Sequence, residues 1–295
     1  MPTSLTETPA YDPAETVDVP ASGDARTAAS VETAFQTLAD RSGFACGALA
    51  TFLDRVPSIS VAGTSSTSFS VAVGAINIII LPDSSGVYRS HATTGITAVA
   101  ADIEGGGADL GAVSQWWYVY AYRTGGGALA IELSTTAPNA LRVTKTGDST
   151  RRYLGCFRTD ASGVPLACRA DGGRYRYRRS ALAVATLRAL SSGTATANTT
   201  VALSSLIPPH ARLATVRCEL VAPASASAID FAYLRTDGDS GAGELSMSVA
   251  PSAGLTTSLV ADVETDASRE IAYRCTINDA THTPGLTIFV DGWQE

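Results

Sequence analysis

Lysine is almost missing from this 295-residue chain, with Lys145 the single example. Charge of either sign is sparse: Asp, Glu, Lys and Arg make up 17% of residues, below the quarter usual for soluble proteins. Acidic groups outnumber basic ones, 28 to 21, for a formal net charge of −7. That balance argues against binding the nucleic-acid backbone, which needs clustered cations. Long apolar runs are also lacking. Ile76 to Leu81 is the longest and contains Asn77, far short of the ~20 residues that cross a bilayer, so no membrane insertion is expected. The N-terminus has no basic start leading into an apolar stretch, and no secretory signal is expected.

The residues of common active sites are thin as well. His91, His210 and His282 stand apart, with no HxH, HExxH or Cys/His cluster. No GxSxG is present. Gly105-Gly106-Gly107 and Gly125-Gly126-Gly127 lack a following Lys-Ser/Thr and read as turns, not phosphate loops. Asp237-Gly238-Asp239 fails as a calcium loop, because the twelfth position is Ser248 and Glu244 is misplaced. No catalytic residue, metal or cofactor is therefore expected. Paired carboxylates are the most plausible enzymatic chemistry, but Asp102, Glu104, Asp109 and Glu132 cannot be sorted without geometry. Cys46, Cys156, Cys168, Cys218 and Cys275 include no CxxC and read as buried thiols of a protein made in a reducing cytoplasm. Whether Cys218 and Cys275 pair stays open.

What fills the gaps is Ala, Ser, Thr and Gly, with hydrophobic residues at 45%. Such a surface suits a protein that covers itself with further copies; a GC-rich genome would give the same bias. Residues 1–23 carry Pro2, Pro9, Pro13 and Pro20 and read as an extended arm. Asp24 is a helix N-cap, and Ala28, Val31, Phe35 and Leu38 recur on one narrow stripe up to a stop at Gly43, either the oligomerising seam of a helix bundle or coiled coil or a face packed on the chain's own β domain. The period then changes to two. Strands are expected at Ser58–Val61, Ser68–Val73, Ala75–Leu81, Gly86–Ser90, Ile96–Ala100, Trp116–Arg123, Ala128–Leu133, Arg151–Arg158 and Arg174–Arg178. The apolar stretch Ser180–Leu190 could form a further strand, and Ser191–Thr199 has linker composition. Later strands fall at Thr200–Leu203, Leu213–Val221, Ile229–Arg235, Glu244–Val249, Ser258–Val263, Glu270–Ile277 and Leu286–Trp293, a spacing that implies a compact antiparallel sandwich.

Two strands carry unusual side chains. Trp116, Tyr118, Tyr120 and Tyr122 line one face, as core or as a platform on which sugar rings stack. Arg174, Arg176 and Arg178 alternate with Tyr175 and Tyr177. The tyrosines would point inward, and the arginines would meet water, acidic groups of an adjacent subunit, or an acidic glycan.

Two segments carry a resemblance. Val17 to Val31, followed by Phe35-Gln36-Thr37-Leu38-Ala39-Asp40-Arg41, resembles the start of many phage fibre and tail-associated subunits. Leu206-Ile207-Pro208-Pro209-His210-Ala211, Ile271-Ala272-Tyr273 and the ending Ile288-Phe289-Val290-Asp291-Gly292-Trp293 are similar to terminal β domains of phage fibres. Tyr153 to Gly163 gives a weaker echo of virion proteins. The resemblance implies a non-enzymatic, homo-oligomeric virion subunit, often trimeric, held to other virion proteins through its arm. A tail or baseplate fibre that touches a host surface glycan is the first reading. A capsid-attached head fibre or decoration protein, and a glycan-processing or glycan-binding protein, are the alternatives. The expected fold is mainly β. It has an extended arm plus one short helix (1–53), an antiparallel β domain (54–179), a linker (180–199) and a jelly-roll-like C-terminal β-sandwich (200–295).

Overall fold

The computed structural model describes residues 57–82, 88–221, 229–236, 245–250, 255–276 and 284–295. The arm and the helix stripe Ala28, Val31, Phe35 and Leu38 lie outside them, as do Cys46, Asp237 to Glu244 and His282. The described residues are mainly β, in antiparallel sheets, with four short 3₁₀ turns. They divide into two compact units. Unit 1 holds Thr64–Val164 and the chain up to Ile59, and unit 2 holds Ser60–Gly63 and Pro165–Glu295.

The first described strand, β1 (Ile59–Gly63), has its last four residues in unit 2. In unit 1, β2 (Phe69–Val73) pairs with β5 (Ile96–Ala98), and β3 (Ile76–Pro82) pairs with β4 (Tyr88–Thr93). A four-stranded sheet follows, in the order β7 (Leu129–Ser134), β6 (Trp116–Arg123), β9 (Asp148–Arg158), β8 (Thr144–Lys145). Six aromatic or β-branched side chains suit β6 to a pleated surface. The turn to β7 closes with Gly127 donating to the Thr124 carbonyl at 2.8 Å, with Gly127 at φ 87°. The hairpin therefore forms where the glycine triplet predicts it. β6 is central in its sheet and buried continuously from Trp117 to Ala121.

Unit 2 is built from two sheets. One runs β17 (Thr256–Glu264), β14 (Leu213–Val221), β19 (Gly285–Gln294), β11 (Arg174–Tyr177), β10 (Cys168–Asp171), β1. β12 (Arg188–Gly193) also pairs with β19, along Leu286–Phe289, whereas β11 takes Gly292–Gln294. The second sheet runs β13 (Thr199–Ala202), β18 (Glu270–Thr276), β15 (Asp230–Thr236), β16 (Leu245–Val249). The sheets meet where β14 and β17 touch β15 and β16. Val216, Cys218 and Leu220 are buried on the first sheet, and Ala232, Leu234, Met247 and Val249 on the second.

Two boundaries differ from expectation. The units separate at Val164/Pro165, not at residue 179, because β10 and β11 join β19 through Tyr175 packed on Trp293. The stretch 180–199 is not a plain linker. Arg179–Ala181 and Val184–Leu187 are 3₁₀ turns, β12 then pairs with β19, and Thr199 already belongs to β13. Within Val184–Leu187 only Leu187 is buried, so the apolar run Ser180–Leu190 never becomes one strand.

Cys156, Cys168, Cys218 and Cys275 are all buried and in no disulfide. Cys218 and Cys275 sit in different sheets and form no disulfide. Burial pushes the thiols of Cys168 and Cys218 up to about 12 and that of Cys275 to about 11. A thiol reagent at about pH 8 acts on thiolate. In a Cys46→Ser protein it should therefore label none of the four while folded and all four in denaturant. Rapid labelling of the native protein, read by mass spectrometry, would contradict this burial.

Candidate functional site

The β10–β11 hairpin begins from a local cause. Asp171-Gly172-Gly173-Arg174 places two glycines at φ 57° and 79°, the paired left-handed conformation of a two-residue turn. The turn fixes the register Cys168↔Tyr177, Arg169↔Arg176, Ala170↔Tyr175, Asp171↔Arg174. Alternation then sorts the side chains. Cys168, Ala170, Tyr175 and Tyr177 are buried, while Arg169, Asp171, Arg174 and Arg176 are exposed. Beneath, Trp293 stacks on Tyr175 at 4.5 Å between ring centroids and 7° between planes, and meets Tyr177 at 5.3 Å. The Tyr177 hydroxyl donates to the Leu206 carbonyl at 2.7 Å. Gly292 lies opposite Arg176, and a Cβ there would fall 2.0 Å from the Tyr175 carbonyl oxygen. Only glycine allows that approach.

The exposed face is therefore a row of arginines on a stiff floor. Acidic groups flank it. Arg174 pairs with Asp262, whose other oxygen accepts from the Thr215 hydroxyl at 2.5 Å. Arg179 lies 3.5 Å from Asp291, which is 7% exposed and equally close to Arg217. Arg169, Arg176 and Arg178 have no ion-pair partner among the described residues. The expected alternation of Arg174, Arg176 and Arg178 with inward tyrosines is what the hairpin presents. Arg169 escaped the sequence reading, although Gly172-Gly173 marks the turn that places it.

The aromatic row differs from a sugar platform. Tyr118 is 3% exposed and Tyr120 fully buried, with Trp116 and Tyr122 half-buried. Tyr153 of β9 lies 6.3 Å from Tyr118 and 5.9 Å from Tyr120, ring to ring. The physical reason is the strand's central place. Both of its faces are covered, so neither alternating set remains for a ligand.

Behind that row lies the other concentration of charge. The bridge Ile103↔Leu133 sets the turn Glu104–Gly106 beside β7. Asn139 ties the loop that delivers β8, its side-chain oxygen accepting from the Val143 amide at 3.0 Å. Lys145, 7% exposed, donates to Glu104 Oε1 at 2.5 Å and to Glu132 Oε1 at 2.8 Å. Arg151 Nε donates to Glu132 Oε2 at 2.9 Å and lies over the Tyr122 ring at 4.2 Å. Of the four candidate carboxylates, Glu104 and Glu132 do converge, but on the one lysine. Its hydrogen bond holds the Glu104 carboxyl below the usual range, helped by the Ser134 hydroxyl and opposed by burial. A general acid needs the reverse shift. Asp102 and Asp109 cap turns locally, accepting from the amides of Val99 and Gly111 at 2.8 Å each. His210 Nε2 lies 3.1 Å from Glu295.

No protein-family model matches the chain, and no curated protein matches it either.

Proposed function

We propose that the chain is a non-enzymatic structural subunit of a bacteriophage or phage-derived virion, an oligomeric fibre or spike attached to the tail or baseplate. The observation that carries this reading is the strand order of unit 2. Four strands run β12-β19-β14-β17 and four run β13-β18-β15-β16, every neighbour antiparallel. We read this double-sheet order as a jelly roll, an architecture used by viral coat and lectin domains. The terminal-domain resemblance, which covers Leu206–Ala211 and Ile288–Trp293, falls within the same unit. In this reading the N-terminal residues attach the subunit to other virion proteins, and unit 2 projects outward.

Oligomerisation has a candidate surface. β17 pairs with β14 along all nine residues and ends its sheet among the described residues. From Thr256 to Ala261 it carries no charge, and Val260 is 54% exposed. Long uncharged edges are those most open to pairing with another chain. The purified protein should have a solution mass that is a multiple of the single chain, with three copies expected. Val260→Lys puts a charge on that edge and should raise the subunit dissociation constant about tenfold, near 1.4 kcal/mol. A monomer at micromolar concentration would overturn the oligomeric reading. Immunogold labelling of intact particles tests the location, and unlabelled particles would remove the virion assignment.

A further inference from the structure

We propose that the exposed face carrying Arg169, Arg176 and Arg178 binds the carboxylate groups of an acidic polysaccharide. This deepens the fibre reading and rests on it for the biological setting, but the binding belongs to unit 2 alone.

Three observations carry it. Arg169 and Arg176 are direct cross-strand partners. Like charges placed directly opposite, about 5 Å apart, disfavour the sheet. The flanking acids, Asp262 and Asp291, are already engaged with Arg174 and with Arg179 and Arg217. Asp171 is exposed on the same face but forms no ion pair among the described residues, so the three guanidinium groups share one loose carboxylate. Their floor is rigid, since the Tyr175–Trp293 stack and the Gly292 close approach fix the backbone from which they project. A rigid cationic platform lowers the ordering entropy that an anion must overcome.

The chemistry selects the class of ligand. Each guanidinium offers a planar fork that fits a carboxylate with two hydrogen bonds. Alternate residues along a strand lie about 7 Å apart, so the face meets charges spaced by several ångströms on an extended chain. Duplex DNA carries one charge per about 1.7 Å, a density that three cations cannot neutralise. A polymer with one carboxylate per sugar needs only these few cations.

The test uses the full chain and defined polymers. Polygalacturonate should bind at about 50 mM salt, weaken steeply by about 200 mM, and be displaced neither by dextran nor by duplex DNA at equal charge. In Arg169→Gln/Arg176→Gln/Arg178→Gln the affinity should fall at least about thirtyfold, three charge-assisted contacts being removed. Arg142→Asn/Arg188→Gln/Arg212→Gln removes as many charges elsewhere, at half-buried Arg142 and exposed Arg188 and Arg212, and should bind like the parent. Circular dichroism confirms that both variants fold. Absence of binding at low salt, equal binding by the two triple variants, or equal displacement by DNA would overturn the proposal. Loss of self-association in the first variant without any polysaccharide would assign the face to subunit contact instead. Polysaccharide binding by a protein that proves monomeric would overturn the fibre reading and leave this one standing.

Discussion

Trp293→Ala is expected to destabilise unit 2 by about 3–5 kcal/mol. Trp293 is wholly buried. It sits in β19 between Ala214 of β14 and Tyr175 of β11, with its ring parallel to Tyr175 and tilted against Tyr177. Truncating a buried tryptophan costs about 3–5 kcal/mol, most where neighbours cannot collapse into the space. Here they cannot: β11 and β14 hydrogen-bond to β19 on either side, and Gly292 already brings the Tyr175 backbone to its limit. The loss is a large share of the ~5–15 kcal/mol that holds a domain folded. Trp293→Phe keeps a ring against Tyr175 and should cost less than half as much. Urea unfolding followed by far-ultraviolet circular dichroism reads both. Near-parental stability of Trp293→Ala would mean that the C-terminal strand does not hold the hairpin.

Local period explains which strands were legible. β2, β6, β7, β14 and β15 lie where alternation and turn residues place them, because one strand's pattern reports the faces it buries. β8 has two residues and β10 four, too few for a period to register. β12 was obscured by apolar side chains at Val184 and Leu190 that serve turns and an irregular pairing. Pairing partners are non-local. Nothing in the residues of β19 says that β11 and β12 share one of its edges while β14 occupies the other.

The same division holds for the sites. Arg174, Arg176 and Arg178 were readable because their period was two, and Gly172-Gly173 would have added Arg169. The aromatic row of β6 was readable as core or platform and is core at Tyr118 and Tyr120; alternation separates two faces but does not say that both are covered. Glu104, Glu132 and Lys145 are separated by 28 and 13 residues along the chain, and only the Ile103↔Leu133 bridge and the Asn139 loop bring them together.

That lysine makes the second large prediction. Glu132→Gln leaves Lys145 with Glu104 alone and Arg151 with the more distant Asp148 at 3.9 Å. Removing one partner of a buried pair costs about 3–5 kcal/mol, because the other charge stays buried. Lys145→Met should cost less, about 1–3 kcal/mol, because Glu132, 12% exposed, keeps its contact with Arg151. Glu104 is 45% exposed, so water replaces much of its partner, and Glu104→Gln should cost under about 1 kcal/mol. In Glu132→Gln/Lys145→Met no opposed charge is stranded at this pair, so the two losses should fall short of additivity by about 1–3 kcal/mol. The pH response has two edges. The depressed Glu104 contributes stability above the ordinary carboxylate range, lost as pH falls through its folded value. Burial opposes the charge on Lys145, but Glu104 and Glu132 outweigh it and raise the ammonium. That contribution is complete below the ordinary lysine value and is lost as pH rises through the raised one. Unit 1 should hold a plateau from about pH 5 to about pH 10, with a smaller alkaline edge in Lys145→Met, where burial still holds the Tyr120 phenol above its ordinary value. Additive losses in the double variant, or an unchanged alkaline edge, would show that the lysine is solvated and the cluster is not a structural clamp.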